Sequence, residues 1–256
     1  MDTIISISDL RKSYGLKKVI KNLSLEIQSG QVIGYIGPNG AGKSTTVRLL
    51  CGLDSDYEGD IFVKGINVKE DPIAVKRLIG YIPEVSELYD TLTPVEYLHL
   101  VGQLQGMTIE QIDKRIDRLL ILFELGGDRY NRLDTFSKGM RQKVLIISGL
   151  MHDPEIIFMD EPMAGLDANS VILVKEVISK LAEAGKTVFY CSHIMDVVEK
   201  ISDRIILIDN GNIIADGSYA SLKAEHSGSL ESIFAKVTGD TDHESKANYF
   251  IQAMKG

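Results

Sequence analysis

The sequence predicts an α/β fold, on three observations. Apolar segments of strand length alternate with a helical pattern in the later part of the chain, a glycine-rich loop joins a strand to a helix near its start, and roughly sixty residues between them read as helix. At 256 residues the chain can bury a sizeable core as one large domain or as a domain with a subdomain.

Residues 3–8, 23–28 and 31–36 are predicted strands, the second with alternating apolar positions and the third running into the glycine loop. Residues 43–51 read as a helix, 60–63 as strand-like and 79–82 as a strand. A helical insertion follows at about 88–153, where Pro94 suits a first helical turn and Thr108-Ile109-Glu110-Gln111 a helix start with an acidic first turn. Beyond it, 155–159 is a buried strand, 169–183 an amphipathic helix, and 187–191 and 204–209 are strands, the alternation of a parallel sheet. Residues 1–220 form the main domain. The remainder, 221–256, is expected to be a helical appendage with helices at 230–237 and 245–254 and a weakly ordered polar joint at 239–242.

With 28 basic and 36 acidic residues the net charge is −8, which argues against nucleic acid as the main partner. Cys51 and Cys191 lie far apart without metal-ligand spacing, so both are expected to be small buried residues in a reducing compartment. The start of the chain lacks a signal-peptide pattern, and no apolar run approaches membrane-spanning length. A soluble, intracellular protein is expected, with any membrane connection made through a partner.

Gly37-Pro38-Asn39-Gly40-Ala41-Gly42-Lys43-Ser44-Thr45 fits the pattern G-x-x-x-x-G-K-[ST]. Glycines let the backbone wrap a multiply charged oxyanion, and the following helix presents its positive dipole end to the same phosphates. Lys43 reaches the β and γ oxygens, and the Ser44 hydroxyl ligates Mg²⁺. This loop predicts binding of Mg²⁺ and ATP. The segment Ile156-Ile157-Phe158-Met159-Asp160-Glu161-Pro162 is an apolar strand that ends in two carboxylates, which a buried strand avoids unless a cation or a water needs them. On strand alternation the two side chains diverge, so Asp160 faces the metal and Glu161 the water that attacks the γ-phosphate, as general base.

In this order the motifs resemble the ATP-binding subunit of ABC transporters, over nearly all of residues 1–220. The resemblance implies a P-loop NTPase core with a mixed sheet, an N-terminal antiparallel β subdomain and a helical insertion subdomain. It makes Gly37 to Thr45 the Walker A loop, Ile156 to Glu161 Walker B, Ala164-Gly165-Leu166-Asp167 the D-loop, with Asp167 in the nucleotide site, and His193 of Cys191-Ser192-His193 the γ-phosphate sensor. It also gives Tyr14 the role of stacking on adenine. Phe136-Ser137-Lys138-Gly139-Met140 stands where the family has Leu-Ser-Gly-Gly-Gln; Ser137 and Gly139 remain, offering a hydroxyl and a backbone N–H at a helix N-terminus to an anion. Arg141-Gln142-Lys143 then read as a charged exposed face. Glu84, in Pro83-Glu84, replaces the family's glutamine; an ionised carboxylate ligates a metal but donates no hydrogen bond.

The same resemblance implies a head-to-tail dimer in which Ser137 and Gly139 of one subunit meet the ATP of the other, the partner being a second copy or a related chain. Integral membrane permease subunits would complete the assembly on the cytoplasmic side of the membrane, meeting the chain at residues 84–94. Leu88, Tyr89 and Leu92 in that stretch suit either contact or core packing. The signature, Pro83-Glu84 and the ending Leu230-Glu231-Ser232-Ile233-Phe234 look like ATPases of the bacterial exporter branch. A soluble single-cassette ABC ATPase, acting as a mechanical switch or assembly factor, is the alternative. A phosphate-loop kinase or GTPase is disfavoured because Asp160-Glu161 suits water activation and no Asn-Lys-x-Asp guanine-reading sequence appears, and comparing ATP with GTP hydrolysis tests it.

Overall fold

The computed structural model describes residues 2–85, 87–226, 228–239 and 249–254. In chain order the elements are β1 (Thr3–Tyr14), β2 (Lys17–Gln28), β3 (Val32–Ile36), α1 (Lys43–Leu50), β4 (Glu58–Val63), β5 (Ile66–Asn67), α2 (Pro72–Leu78) and β6 (Ile79–Ile82). After α3 (Pro94–Leu104), α4 (Ile109–Leu122) and α5 (Lys138–Leu150) come β7 (Ile156–Asp160), α6 (Ala168–Glu183), β8 (Thr187–Cys191), α7 (Met195–Ile201) and β9 (Arg204–Asp209). The last elements are β10 (Asn212–Gly217), α8 (Tyr219–His226) and α9 (Leu230–Thr238).

A four-stranded antiparallel sheet has the order β2-β1-β4-β5, and a six-stranded sheet the order β10-β9-β3-β8-β7-β6. In the second sheet every pairing is parallel except that of β10 with β9, so the sheet is mixed, as expected. Every residue of β3, β7 and β8 is buried, which is why these segments are apolar on both faces instead of alternating. Tyr35, Phe189 and Phe158 stack across them with centroids 4.9 and 5.6 Å apart, each ring burial worth about 1.5–3 kcal/mol.

Several elements run differently from the sequence reading. β1 continues past residue 8 because a bulge shifts the register between Ile7 and Leu10. Asp9 takes a positive φ of 51° there, and its N–H donates to the Ser24 hydroxyl (2.9 Å). Leu10 is thereby returned to the core, fully buried, which a strict two-residue period does not foresee. The short helix α2 was not expected; Asp71 caps it, accepting from the Ala74 N–H (2.9 Å), and Pro72 opens it. β10 was also not foreseen, although Asn210-Gly211, both at positive φ, makes the tight turn that folds it back on β9. Within the stretch expected as an appendage, α8 and α9 bury Leu222, Leu230 and Ile233 in the same cluster as Val197 and Val198 of α7. The joint at 240–242 and the beginning of the last expected helix, at Ser245, lie outside the described residues; 249–254 holds helix from Tyr249 to Met254.

The helical insertion occupies the interval between β6 and β7. Both predicted helix starts carry capping boxes: Thr93 Oγ1 accepts from the Glu96 N–H (3.2 Å) and Thr108 Oγ1 from the Gln111 N–H (3.3 Å), with the side chains of Glu96 and Gln111 reaching back. α5 lies against β6 so closely that a Cβ placed on Gly80 would stand 2.1 Å from the Gly149 carbonyl oxygen. Among the described residues no helix is long and apolar enough to cross a membrane. Gly80→Ala is expected to push α5 off the sheet and to lower stability by about 1–3 kcal/mol, read as a lower urea midpoint at unchanged slope.

Candidate functional site

Parallel strands deliver their carboxyl ends to one edge of a sheet, and adjacent ends there enclose a crevice. Across this edge β3, β8, β7 and β6 follow one another. β3 runs into the glycine loop, β8 into Ser192-His193, β7 into Asp160-Glu161 and β6 into Pro83-Glu84. The result is a cleft of about 670 Å³ bordered by Gly37, Pro38, Asn39, Gly40, Gly42, Lys43, Ser44, Thr45, Glu84, Asp160, Glu161, His193 and, from the β1–β2 hairpin, Tyr14. Ala41 stands within the same loop. Its side chain is buried, and its peptide accepts from the Gly211 N–H (3.1 Å) and donates to the Pro38 carbonyl (3.1 Å), which fastens the loop to the β9–β10 turn.

Gly42 caps α1 in a left-handed conformation, φ 110°, so the first turn of the helix opens into the cleft with N–H groups that have no partner within the helix. Lys43 is buried, and its ammonium donates to the carbonyls of Gly37 (2.7 Å) and Pro38 (3.2 Å). Those contacts curl the loop around its own cation.

Asp160 ends β7 and is 2 % exposed. Burial pushes its carboxyl up from the usual range, and the negative charges of Glu84 and Glu161 add to the rise; the hydrogen bond from the Ser44 hydroxyl and the charge of Lys43 oppose it. Glu161 diverges from it for a reason other than strand alternation. It lies past the strand end at φ 49°, its N–H donates to the Cys191 carbonyl (2.9 Å), and its carboxylate turns toward β8. There Oε1 accepts from the His193 N–H (2.8 Å) and lies 2.7 Å from His193 Nδ1, while Oε2 accepts from the Ser192 hydroxyl (3.1 Å). A carboxylate is acceptor-only, so Nδ1 holds the proton and Nε2 of the exposed ring is left for another partner.

Tyr14 stands at the hairpin turn, half-exposed, its hydroxyl donating to Asp54 Oδ2 (3.1 Å). The ammonium of Lys12, itself buried and paired with Asp54 at 2.9 Å and Asp56 at 3.2 Å, lies 4.7 Å from the ring centroid. The ring is therefore held at its edge and on its face, as a flat apolar surface at the cleft mouth. Lys17, Val19, Met195 and Phe234 also line the cleft and were not singled out from sequence. Lys17 pairs with Tyr14 across the hairpin. Phe234 was named from sequence only as part of the ending Leu230 to Phe234, not as a residue of the site.

Ser137, Gly139 and Asp167 do not border this cleft. Ser137 caps α5, accepting from the Met140 N–H (3.2 Å), and presents that helix end to solvent. Asp167 caps α6, accepting from the Ser170 N–H (2.9 Å) and hydroxyl (2.6 Å), and these bonds, with Lys143 nearby, hold its carboxyl well below the usual range. The expectation of an exposed face at Arg141-Gln142-Lys143 is overturned: Gln142 is fully buried and Lys143 nearly so. α5 lays those side chains against the segment that follows β7, since Gln142 bonds to Pro162 and Lys143 pairs with Asp167.

Among the described residues no group of three histidine, cysteine, aspartate or glutamate side chains could hold a metal unaided. Ser44, Asp160 and Glu84 nevertheless converge as an all-oxygen donor set beside the loop, the chemistry a hard divalent cation takes when phosphate oxygens and water complete its shell.

Residues 20–164 match the family model described as ABC transporter. The linearmycin resistance ATP-binding protein LnrL of Bacillus subtilis is 37% identical over 219 residues, spanning 86% of this chain and 70% of that protein. The Nod factor export ATP-binding protein I of Cupriavidus metallidurans is 34% identical over 217 residues, 85% of this chain and 72% of that protein. Among solved structures, a dimeric ATP-binding cassette in a post-hydrolysis state bound to ADP and Pi superposes with a TM-score of 0.78 at 26% identity, over 84% of this chain and 98% of that one.

Because the folded pKa of Asp160 is raised, the free protein binds more protons there than the unfolded chain, and this carboxyl lowers stability as pH climbs from its ordinary value through the raised one. Asp160→Asn is therefore expected to melt at or above the wild-type temperature at pH 7 without nucleotide, while losing hydrolysis. The stability difference is expected to vanish below pH 3, which a set of melts across pH checks.

Proposed function

The chain belongs to the ABC transporter family and is an ATPase, and from that premise we propose that it is the ATP-binding subunit that powers an exporter. The carrying observation is that one cleft gathers Lys43, Ser44, Asp160, Glu161 and His193 from adjacent strand ends, while exposed Ser137 and half-buried Gly139 lie outside it. That arrangement suits a site completed by a second cassette.

In this reading Tyr14 stacks on adenine, and the loop N–H groups and Lys43 take the phosphates, Lys43 leaving the carbonyls of Gly37 and Pro38 to do so. Ser44, Asp160 and Glu84 hold Mg²⁺, which when bound neutralises charge that develops on the phosphate oxygens. Glu161 takes a proton from the attacking water; with Oε1 engaged by His193 and Oε2 by Ser192, it is held as an acceptor aimed by the residues that follow β8. His193, fixed through Nδ1, offers Nε2 to the γ-phosphate. Glu84 ligates the metal and, when ionised, donates no hydrogen bond to the water, so it meets that water only as an acceptor, beside Glu161.

Ser137 and Gly139 meet the nucleotide of the other cassette, a second copy or a related chain, with Asp167 close behind them at the start of α6. Docking of integral membrane permease subunits falls at the groove of about 330 Å³ between the sheet and the helical insertion, lined by Leu53, Tyr81, Pro83, Glu87, Tyr97 and Val101. In the neighbouring stretch, Tyr89 is exposed for such a contact, whereas Leu88 is buried in the core and Leu92 packs against it. The chain would then sit peripherally on the cytoplasmic face of the membrane. An export direction is supported by the relatives named for resistance and for Nod factor export.

Glu161→Gln is expected to slow hydrolysis by about 10²- to 10⁴-fold and to accumulate an ATP-bound dimer on gel filtration; unchanged turnover in a competent assembly removes the base assignment. Extraction of native membranes in mild detergent is expected to recover an integral membrane protein with the chain. A purely soluble partner would overturn the transport reading.

A further inference from the structure

α5 begins at Ser137 and, one turn on, places the fully buried Gln142 against the loop that leaves Glu161. Gln142 Nε2 donates to the Pro162 carbonyl (3.2 Å). Nearby, the Lys143 ammonium lies 3.4 Å from Asp167 Oδ2, and α5 and the loop approach so closely at Gly139 that a Cβ there would stand 2.7 Å from the Gly165 carbonyl oxygen. The helix and the loop are thus packed backbone to backbone and bonded at each end of the contact.

The bond to Pro162 falls at a sensitive place. Glu161 carries a side chain at a φ of 49°, a conformation that such residues hold only where the surroundings enforce it. Its N–H is fixed by the Cys191 carbonyl (2.9 Å), and its own carbonyl accepts from the Ala164 N–H (3.1 Å) in a tight turn. Pro162 is the next residue in that turn and its ring fixes its own φ, so a donor on its carbonyl holds the Pro162–Met163 peptide and with it the turn that carries Glu161. A long polar side chain that is wholly removed from water must also be repaid by its hydrogen bonds, and an apolar residue of the same length would fill the space without that demand.

We infer that Gln142 is a positioning residue for Glu161: it holds the Pro162 carbonyl, keeps the carboxylate aimed at the cleft, and joins the solvent-facing end of α5 to the hydrolytic carboxylate of the same chain. A nucleotide pressed against Ser137 and Gly139 by a second cassette would then be felt at Glu161. The inference rests on the reading of Glu161 as the base.

The test compares Gln142→Met, which keeps length and burial but lacks the donor, in wild-type and Glu161→Gln backgrounds, using the full chain in its recovered assembly. Expected is a fall in kcat of about tenfold with KM for ATP within about twofold, and no further fall when Gln142→Met is added to Glu161→Gln. Gln142→Asn, one methylene short of Pro162, is read in the same way should the methionine variant not fold. Wild-type kcat in the single variant, an equal fall in both backgrounds, or a rise in KM alone would overturn the coupling while leaving the base assignment in place. Wild-type turnover in Glu161→Gln by itself would overturn the base assignment and the coupling with it.

Discussion

Strands that run the same way must all reverse at the same edge, and the site depends on that constraint. β3, β8, β7 and β6 are parallel neighbours, so the four loops that leave their carboxyl ends have no room to disperse. Residues more than a hundred positions apart in the chain, such as Lys43 and Glu161, are brought together by strand order, and the dry interior of the sheet fixes that order through side chains buried on both faces. The antiparallel hairpin adds Tyr14 from the side, tied in where the Lys21 N–H donates to the Gly211 carbonyl (3.0 Å).

The chemistry of the edge is set by an imbalance. Asp160 is buried, with Glu161 and Glu84 beside it, and only Lys43 and Ser44 working in its favour. Such a cluster weakens the free protein and strengthens the affinity for a cation that arrives with phosphate, so ligand and fold are linked through the same carboxylate. Glu161 is treated differently by its surroundings. Its oxygens have donors from Ser192 and His193, so both are partnered within the protein.

Much of this was legible in the sequence, and the exceptions have particular causes. The loop and the carboxylate pair were readable because each needs fixed residue types at fixed spacing, next to a strand end that periodicity locates; His193 was reached only through the family resemblance. The course of β1 past the bulge at Asp9 was not, since a single left-handed residue changes which face every later side chain takes. Gln142 and Lys143 resembled a solvated helix face because helical periodicity gives the angle between residues but not what lies against them; only the approach of α5 to the segment after β7 decides that. Phe234 shows the same limit from the apolar side, a core-like residue that also reaches the cleft. Asp160 bonds with Ser44 and Glu161 with Ser192 and His193, and a turn past the strand end, not strand alternation, gives them these different partners.

The two carbonyls that hold the Lys43 ammonium in the free protein have a bearing on which ligands the loop can admit. Those bonds occupy two of the ammonium's three donors, so a visitor that draws further on the cation competes with partners already in place, and binding is in part an exchange. A weakly charged anion gains little from that exchange, whereas a chain of phosphates offers several oxygens at once and a richer field. The loop thus sets a threshold of charge, and discrimination begins before any contact with the base.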